Sequence, residues 1–228
     1  ACRASTPLRR PSLLTYVHRI RRLVPIRGPI PLHQHGHWLH PTHPHRCTTR
    51  NNHNHIAKTI MTIRPTTYAD LDALTAIFAY ARAQMAADGN PTQWGDGYPT
   101  REQLENDIQR GVSYVMEHEG VPCATFVFII GDDPTYAYIE DGQWLDDTLP
   151  YGTIHRIASN GQRRGIFRTV LDWCSAQCSN IRIDTHQANA RMIHLIEQAQ
   201  FTRCGIIYTR DNSPRMAYQC LGTAIVKD

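Results

Sequence analysis

Residues 61–228 predict a mixed α/β domain: a central, mostly antiparallel sheet of six to seven strands with helices on both faces. Three observations carry this. Apolar periods of two and of 3.6 succeed one another in the order strand, two helices, hairpin, strand, helix, strand, helix, hairpin. Thr125 to Ile130 is apolar on both faces, as a central strand must be. Composition changes sharply near residue 60, leaving 168 residues, an ordinary size for one domain.

Residues 1–60 hold 10 Lys and Arg, 9 of the 13 His, 7 of the 14 Pro and no Asp or Glu. They read as a disordered, basic, His/Pro-rich extension. Met61 is the first methionine and opens the first well-patterned segment, so translation is expected to start there. The preceding stretch is then an over-long gene reading or a poorly conserved extension. Low acidity with many Arg also suits a transit peptide, but its Pro and His density breaks any long amphipathic helix. Its histidines could hold a transition metal; no acidic or Cys spacing closes such a site, so no metal is expected.

Residues 61–228 carry 14 Lys and Arg against 20 Asp and Glu, a formal charge of −6. The overall +4 therefore says nothing for nucleic-acid binding by the folded part. Seven cysteines, an odd number with several in apolar runs, suit buried thiols in a reducing cytoplasmic setting. No run of 18 apolar residues is present, so no membrane helix is expected.

Taken in order, Ile63 and its neighbours form a short strand. Thr67 caps a helix, with Asp70 in its first turn and Leu71, Leu74, Ile77, Phe78, Ala81 and Met85 along one face. Gly and Pro make Asp88 to Pro99 a loop. Its Trp94 and Tyr98 are large aromatics able to anchor the loop on the core. Thr100 caps a second helix, which Gly111 ends. Val112–His118 and Val121–Ile130 form a hairpin. Residues 131–149 are a polar excursion rich in Asp, able to steer a cationic amine or simply solvated. Ile181–His186 is an alternating strand, Asn189 caps the next helix, and Phe201–Tyr208 and Arg215–Leu221 form the last hairpin. Edge strands near the C-terminus suit a homodimer.

The stretch from Tyr151 to Cys178 is the most informative. A β-branched strand ends at Ser159-Asn160-Gly161; Gln162-Arg163-Arg164-Gly165 then leads into a helix with Ile166, Val170, Leu171, Trp173 and Cys174 on its apolar face. The first N–H groups of a helix have no partner within it and favour an anion such as a pyrophosphate. Gly165 allows close backbone approach, and Arg163, Arg164 and Arg168 add charge. The alternative is an ordinary strand-turn-helix with a solvated basic turn.

Gln162-Arg163-Arg164-Gly165-Ile166-Phe167 resembles the acyl-CoA-binding turn of GNAT-superfamily N-acetyltransferases: Arg or Gln, two residues, Gly, one residue, then Gly or Ala. Gln162 and Gly165 match; Phe167 departs at the small-residue place. Ile154 to Ser159 resembles the strand before that turn in a bacterial branch. The likeness spans roughly residues 61–221, and the element order is also that of the GNAT fold.

The resemblance implies acetyl-CoA as co-substrate and direct attack of an amine, on a small molecule or a peptide, at the thioester carbonyl. A neutral amine, an oxyanion donor and an acid for the leaving thiolate are then needed. Ile157 and Ser159 would offer backbone groups to the pantetheine arm, Gln162 to Phe167 would cradle the pyrophosphate, and Asn189 would touch the coenzyme or cap its helix. Strand alternation puts Tyr151, Thr153, His155 and Ile157 on one face. Tyr151 and Thr153 stand where family members place pocket residues, and Trp94 and Tyr98 lie in the link between the first two helices, from which family members also build the acceptor pocket, so that they would wall it or else only anchor the loop. Histidine ionises near pH ~6.5 in model peptides, and His155 is the only such side chain there; it is the first choice of base, or else a hydrogen-bonded structural residue. The family pattern Asn-x-x-Ala-x-x-Leu-Tyr-x-x-x-Gly-Phe is met at Asn189, Leu195 and Phe201, but Ile196 stands at the Tyr that serves as acid. Tyr208 or water would replace it, or the thiolate leaves unassisted. The rival reading, motivated by Ile196 and Phe167, is a GNAT-fold acyl-CoA sensor or scaffold without catalysis; a weaker one is metal or nucleic-acid binding through residues 1–60.

Overall fold

The computed structural model describes residues 61–222; the expectations for residues 1–60 lie outside the described residues. Strands β1 (Met61–Pro65), β2 (Ser113–His118), β3 (Val121–Ile130), β4 (Gly152–Ser159), β5 (Asn180–Thr185), β6 (Thr202–Tyr208) and β7 (Pro214–Leu221) form one sheet in the order β1-β2-β3-β4-β5-β7-β6. Every neighbouring pair is antiparallel except β4–β5. The helices are α1 (Leu71–Ala87), α2 (Arg101–Gln109), α3 (Ile166–Ser175) and α4 (Ala190–Gln198). No helix among the described residues is long and apolar enough to cross a membrane. The five cysteines of this region are free thiols.

The helices divide between the two faces of the sheet. Ile166, Phe167, Val170, Leu171 and Cys174 of α3 and Ile196 of α4 recur at helical spacing and pack on Ile154, Ile181, Ile183 and Tyr218. On the opposite face Leu71, Leu74, Ile77 and Phe78 of α1 bury with Leu104 of α2 against Val115 and Ala158. Thr100 starts α2 through a reciprocal pair: its Oγ1 accepts from Gln103 N at 3.2 Å and its N–H donates to Gln103 Oε1 at 2.8 Å.

The excursion between β3 and β4 is not the solvated insertion its composition suggests. Tyr136, Trp144 and Tyr151 are buried with Cys204, Ile207 and Ala217, covering the part of the second face that α1 and α2 leave bare. This also changes the reading of β5. Arg182 is a polar position of that alternating strand, yet it is only 1% exposed. Its guanidinium lies 4.1 Å from the Trp144 ring centre and 3.8 Å from that of Tyr151, and pairs with Asp147 at 2.7 Å.

At the start of α1, Asp70 Oδ2 accepts from Thr67 N, and Arg64 donates to both Asp70 oxygens at 2.8 Å. The Arg64 hydrogen bond chiefly holds the Asp70 carboxyl far below its ordinary range, against burial, with Thr67 assisting. A folded-state pKa below the unfolded one stabilises above the unfolded value and loses that contribution as pH falls. Asp70→Asn is therefore expected to cost about 1 kcal/mol at neutral pH, because Arg64 is partly solvated. The gap to wild type should close as pH drops below about 4, read from denaturation midpoints across pH. A gap independent of pH would contradict it.

Candidate active site

Strands β4 and β5 pair only at their start: Gly152 with Ile181, Thr153 with Arg182, Ile154 with Ile183. Beyond these the two strands part, although β4 continues to Ser159 and β5 to Thr185. His155 to Ser159 thus present a backbone edge with no β5 partner, and that edge lines a cavity of about 880 Å³. Trp94, Tyr98, Asp133 and Asp184 line it as well.

β4 also carries a bulge. Val127 pairs with His155 but Thr125 with Ala158, so β4 has one residue more than β3 across that step. Arg156 takes up the irregularity at φ 52°. The expected alternation therefore fails here. Ile157 packs with Ile154 on the α3/α4 side, not with His155, and Ala158 returns to the α1 side. Arg156 is held by Asp107 of α2 at 2.5 Å and by the Tyr98 hydroxyl at 3.1 Å.

His155 sits among acids. Its Nε2 is 2.8 Å from Asp133 Oδ2, and its Nδ1 is 3.7 Å from Asp184 Oδ1. Asp184 Oδ1 also accepts the Tyr136 hydroxyl at 2.6 Å. Burial pushes the Asp133 carboxyl up, but the hydrogen bond and charge of His155, with Thr135, outweigh it and hold it well below the usual range. Burial, then the charge and hydrogen bond of Asp184, push the Tyr136 phenol well up. An ionised Asp133 only accepts, so Nε2 is the nitrogen that donates to it, and in the neutral form of the ring the lone pair is on Nδ1.

The other expected residues divide. Trp94 and Tyr98 line the cavity, and Trp94 also packs edge-on against Phe78 at 5.6 Å, so wall and anchor are one role. Asn189 lines it too, capping α4 through Met192 N at 3.0 Å and donating to Gln93 Oε1 at 3.0 Å. Gln93 thereby ties the α1–α2 loop to the start of α4. The turn before α3 is an Asn160 side-chain turn, with Gln162 N donating to Asn160 Oδ1 at 3.1 Å; Gly165 caps α3 at φ 75°. Gln162, Arg163, Arg164 and Gly165 are exposed, while Ser159, Ile166 and Phe167 reach the cavity.

Three expectations are corrected. Tyr151 does not line the cavity: its ring is buried under Arg182 and its hydroxyl accepts from Asp133 N at 3.0 Å. Thr153 is fully buried and short of the cavity, where β4 is still paired with β5. Tyr208, on the outermost strand, donates its hydroxyl to Glu140 and lies off the cavity, so it is not the acid; that hydrogen bond chiefly raises its pKa. Sequence reasoning missed Tyr136 and Asp184 as partners of His155. Asp133 was visible only as one acid of an acidic stretch.

No protein-family model and no curated protein matches the chain. Solved structures do. A GNAT-family acetyltransferase from Streptococcus agalactiae is 30% identical, with 71% of this chain and 95% of that one covered and a TM-score of 0.65. A GNAT-family acetyltransferase from Listeria monocytogenes shares the fold at 16% identity, over 71% and 94% of the two chains, with a TM-score of 0.53. With 30% identity to the streptococcal acetyltransferase over 95% of that protein's length, this chain belongs to the GNAT family of acetyltransferases.

Proposed function

We propose that the domain transfers an acetyl group from acetyl-CoA to a primary amine by direct attack. The observation that carries this is the open backbone edge of β4, from His155 to Ser159, lining the cavity where β4 and β5 part. An open strand edge accepts an extended, amide-bearing arm as an added strand would be accepted. The α3 N-terminus behind Gly165, with Arg163 and Arg164, suits a pyrophosphate. Bound acetyl-CoA supplies the thioester acyl group that the amine attacks.

The chain's own residues then have three tasks. Asp132, Asp133 and Asp184 attract a cationic amine into the cavity. His155, oriented by Asp133 at Nε2, takes a proton at Nδ1, and its charged form rests between Asp133 and Asp184. A backbone N–H at the bulge near Ile157 is the natural oxyanion donor. Ile196 is fully buried in the α4 core and Tyr208 is held by Glu140, so neither delivers a proton at the cavity.

The test is calorimetric titration of acetyl-CoA into the full chain, with release of free thiol followed across a panel of amines. Binding with amine-dependent release is expected. Absence of binding overturns the assignment; binding with no release on any amine leaves a sensor. Replacing Arg163 and Arg164 together by Gln is expected to weaken acetyl-CoA binding about tenfold, less so at high salt.

A further inference from the structure

Arg215, the second residue of β7, lines the cavity and is 7% exposed. The two other deeply placed arginines have carboxylates: Arg182 pairs with Asp147 at 2.7 Å and Arg156 with Asp107 at 2.5 Å. Arg215 has no ion pair among the described residues. Its Nη1 donates to Ser213 Oγ and to Pro214 O at 3.1 Å, and its Nη2 reaches Gln93 O only at 3.4 Å. A guanidinium has five N–H donors, so two are left without a partner. Asp211, which also lines the cavity, makes no ion pair with it; its carboxylate accepts from Thr209 Oγ1 at 2.5 Å and Ser213 N at 3.4 Å. A buried cation with no contacting counter-charge is costly, and Arg215 lines a cavity from which one can arrive.

The register fixes where Arg215 stands relative to the acids. β5 pairs with β7 at Asp184–Ala217 and Thr185–Met216. Arg215 is two residues before Ala217 on the same strand face, which makes it the diagonal neighbour of Asp184, about 7–8 Å away across the pair. Asp184 is in turn 3.7 Å from His155 Nδ1. One wall of the cavity thus carries an amine-attracting end and, one diagonal step away, a buried positive end. Arg210 and Asp211 of the β6–β7 turn also line the cavity and offset each other in charge.

We infer that the acceptor is a free amino acid, its carboxylate held by Arg215 and its amine between Asp184 and His155. This rests on the acetyl-transfer reading for the fate of the amine, but not for its binding. The diagonal step, bridged from both sides by side chains, suits a small molecule with few bonds between amine and carboxylate. A monoamine or a polyamine would leave the guanidinium without a counter-ion.

Two measurements test it on the full chain. The first is binding of amino acids and of their carboxamides without acetyl-CoA, read by quenching of tryptophan fluorescence at Trp94. The second is kcat/KM for the same pairs in thiol release. Amino acids are expected to bind and react at least about tenfold better than their carboxamides, as a charge-assisted hydrogen bond commonly gives. Arg215→Gln should bring the amino acids down to the level of the carboxamides and leave the carboxamides within about twofold. Arg215→Lys, which keeps the charge, should retain part of the preference and serves if the Gln variant does not fold. Equal treatment of acids and carboxamides by wild type overturns the inference, as does a parallel loss on both in Arg215→Gln, which would make Arg215 a loop clamp through Gln93. Discrimination in binding with no thiol release upholds the inference and sinks the acetyl-transfer reading instead.

Discussion

His155→Gln is expected to lower kcat by about 10²–10⁴-fold, the usual worth of a positioned general base. The expected change in acetyl-CoA affinity is within about twofold, because the side chain points to the acid cluster and not to the basic turn. Gln keeps the size and a hydrogen bond to Asp133 but cannot take a proton. Asp133 and Asp184 stay in place, which keeps a cationic amine bound but unreactive. The variant should also lose the acid limb of the pH–rate profile, since that limb reports protonation of the base in the acetyl-CoA complex. Single-turnover rates with saturating acetyl-CoA, measured across pH, decide it. A variant with wild-type turnover at every pH would reduce His155 to a structural residue.

The site's frame was readable because it is local. Gly165 between a β-branched run and an amphipathic helix specifies a strand-turn-helix by itself, and so does Thr100 with Gln103 at the start of α2. What failed was non-local. The alternation rule assigned Ile157 to the His155 face because no pattern within β4 announces the bulge; it is defined by pairing with Thr125 and Val127, some thirty residues earlier. The same holds for Tyr151, a pocket residue by resemblance, which is buried because Arg182 of β5 and the excursion close over it. Asp184 read as one polar position of an alternating strand. Its meaning depends on Tyr136, forty-eight residues away. Arg215 was legible only as the start of the last strand; a missing carboxylate is a fact about neighbours.

Gly142→Ala is expected to lower stability by about 3 kcal/mol or more, through forced overpacking and lost backbone hydrogen bonds, and to take activity with it. A Cβ at residue 142 would lie 1.9 Å from the carbonyl oxygen of Cys204 in β6, backbone that cannot swing aside. The excursion would have to lift from β6, parting the Glu140–Ile206 pair, whose two N–H···O bonds are each 2.8 Å. Tyr136 and Trp144 sit on the same segment, stacked with centroids 5.5 Å apart. Lifting it withdraws the Tyr136 hydroxyl from Asp184 and disturbs Asp133, the two acids that frame His155. Kinetic loss should therefore accompany the fall in thermal midpoint, even at temperatures where the variant remains folded. Ala at Gly120, in the β2–β3 turn where a Cβ meets nothing within 4 Å, is the control: it strains its own backbone at φ 77° but should leave kcat untouched. If Gly142→Ala lost stability while keeping full kcat in its folded fraction, the excursion would be a cover for the sheet and no part of what positions the base.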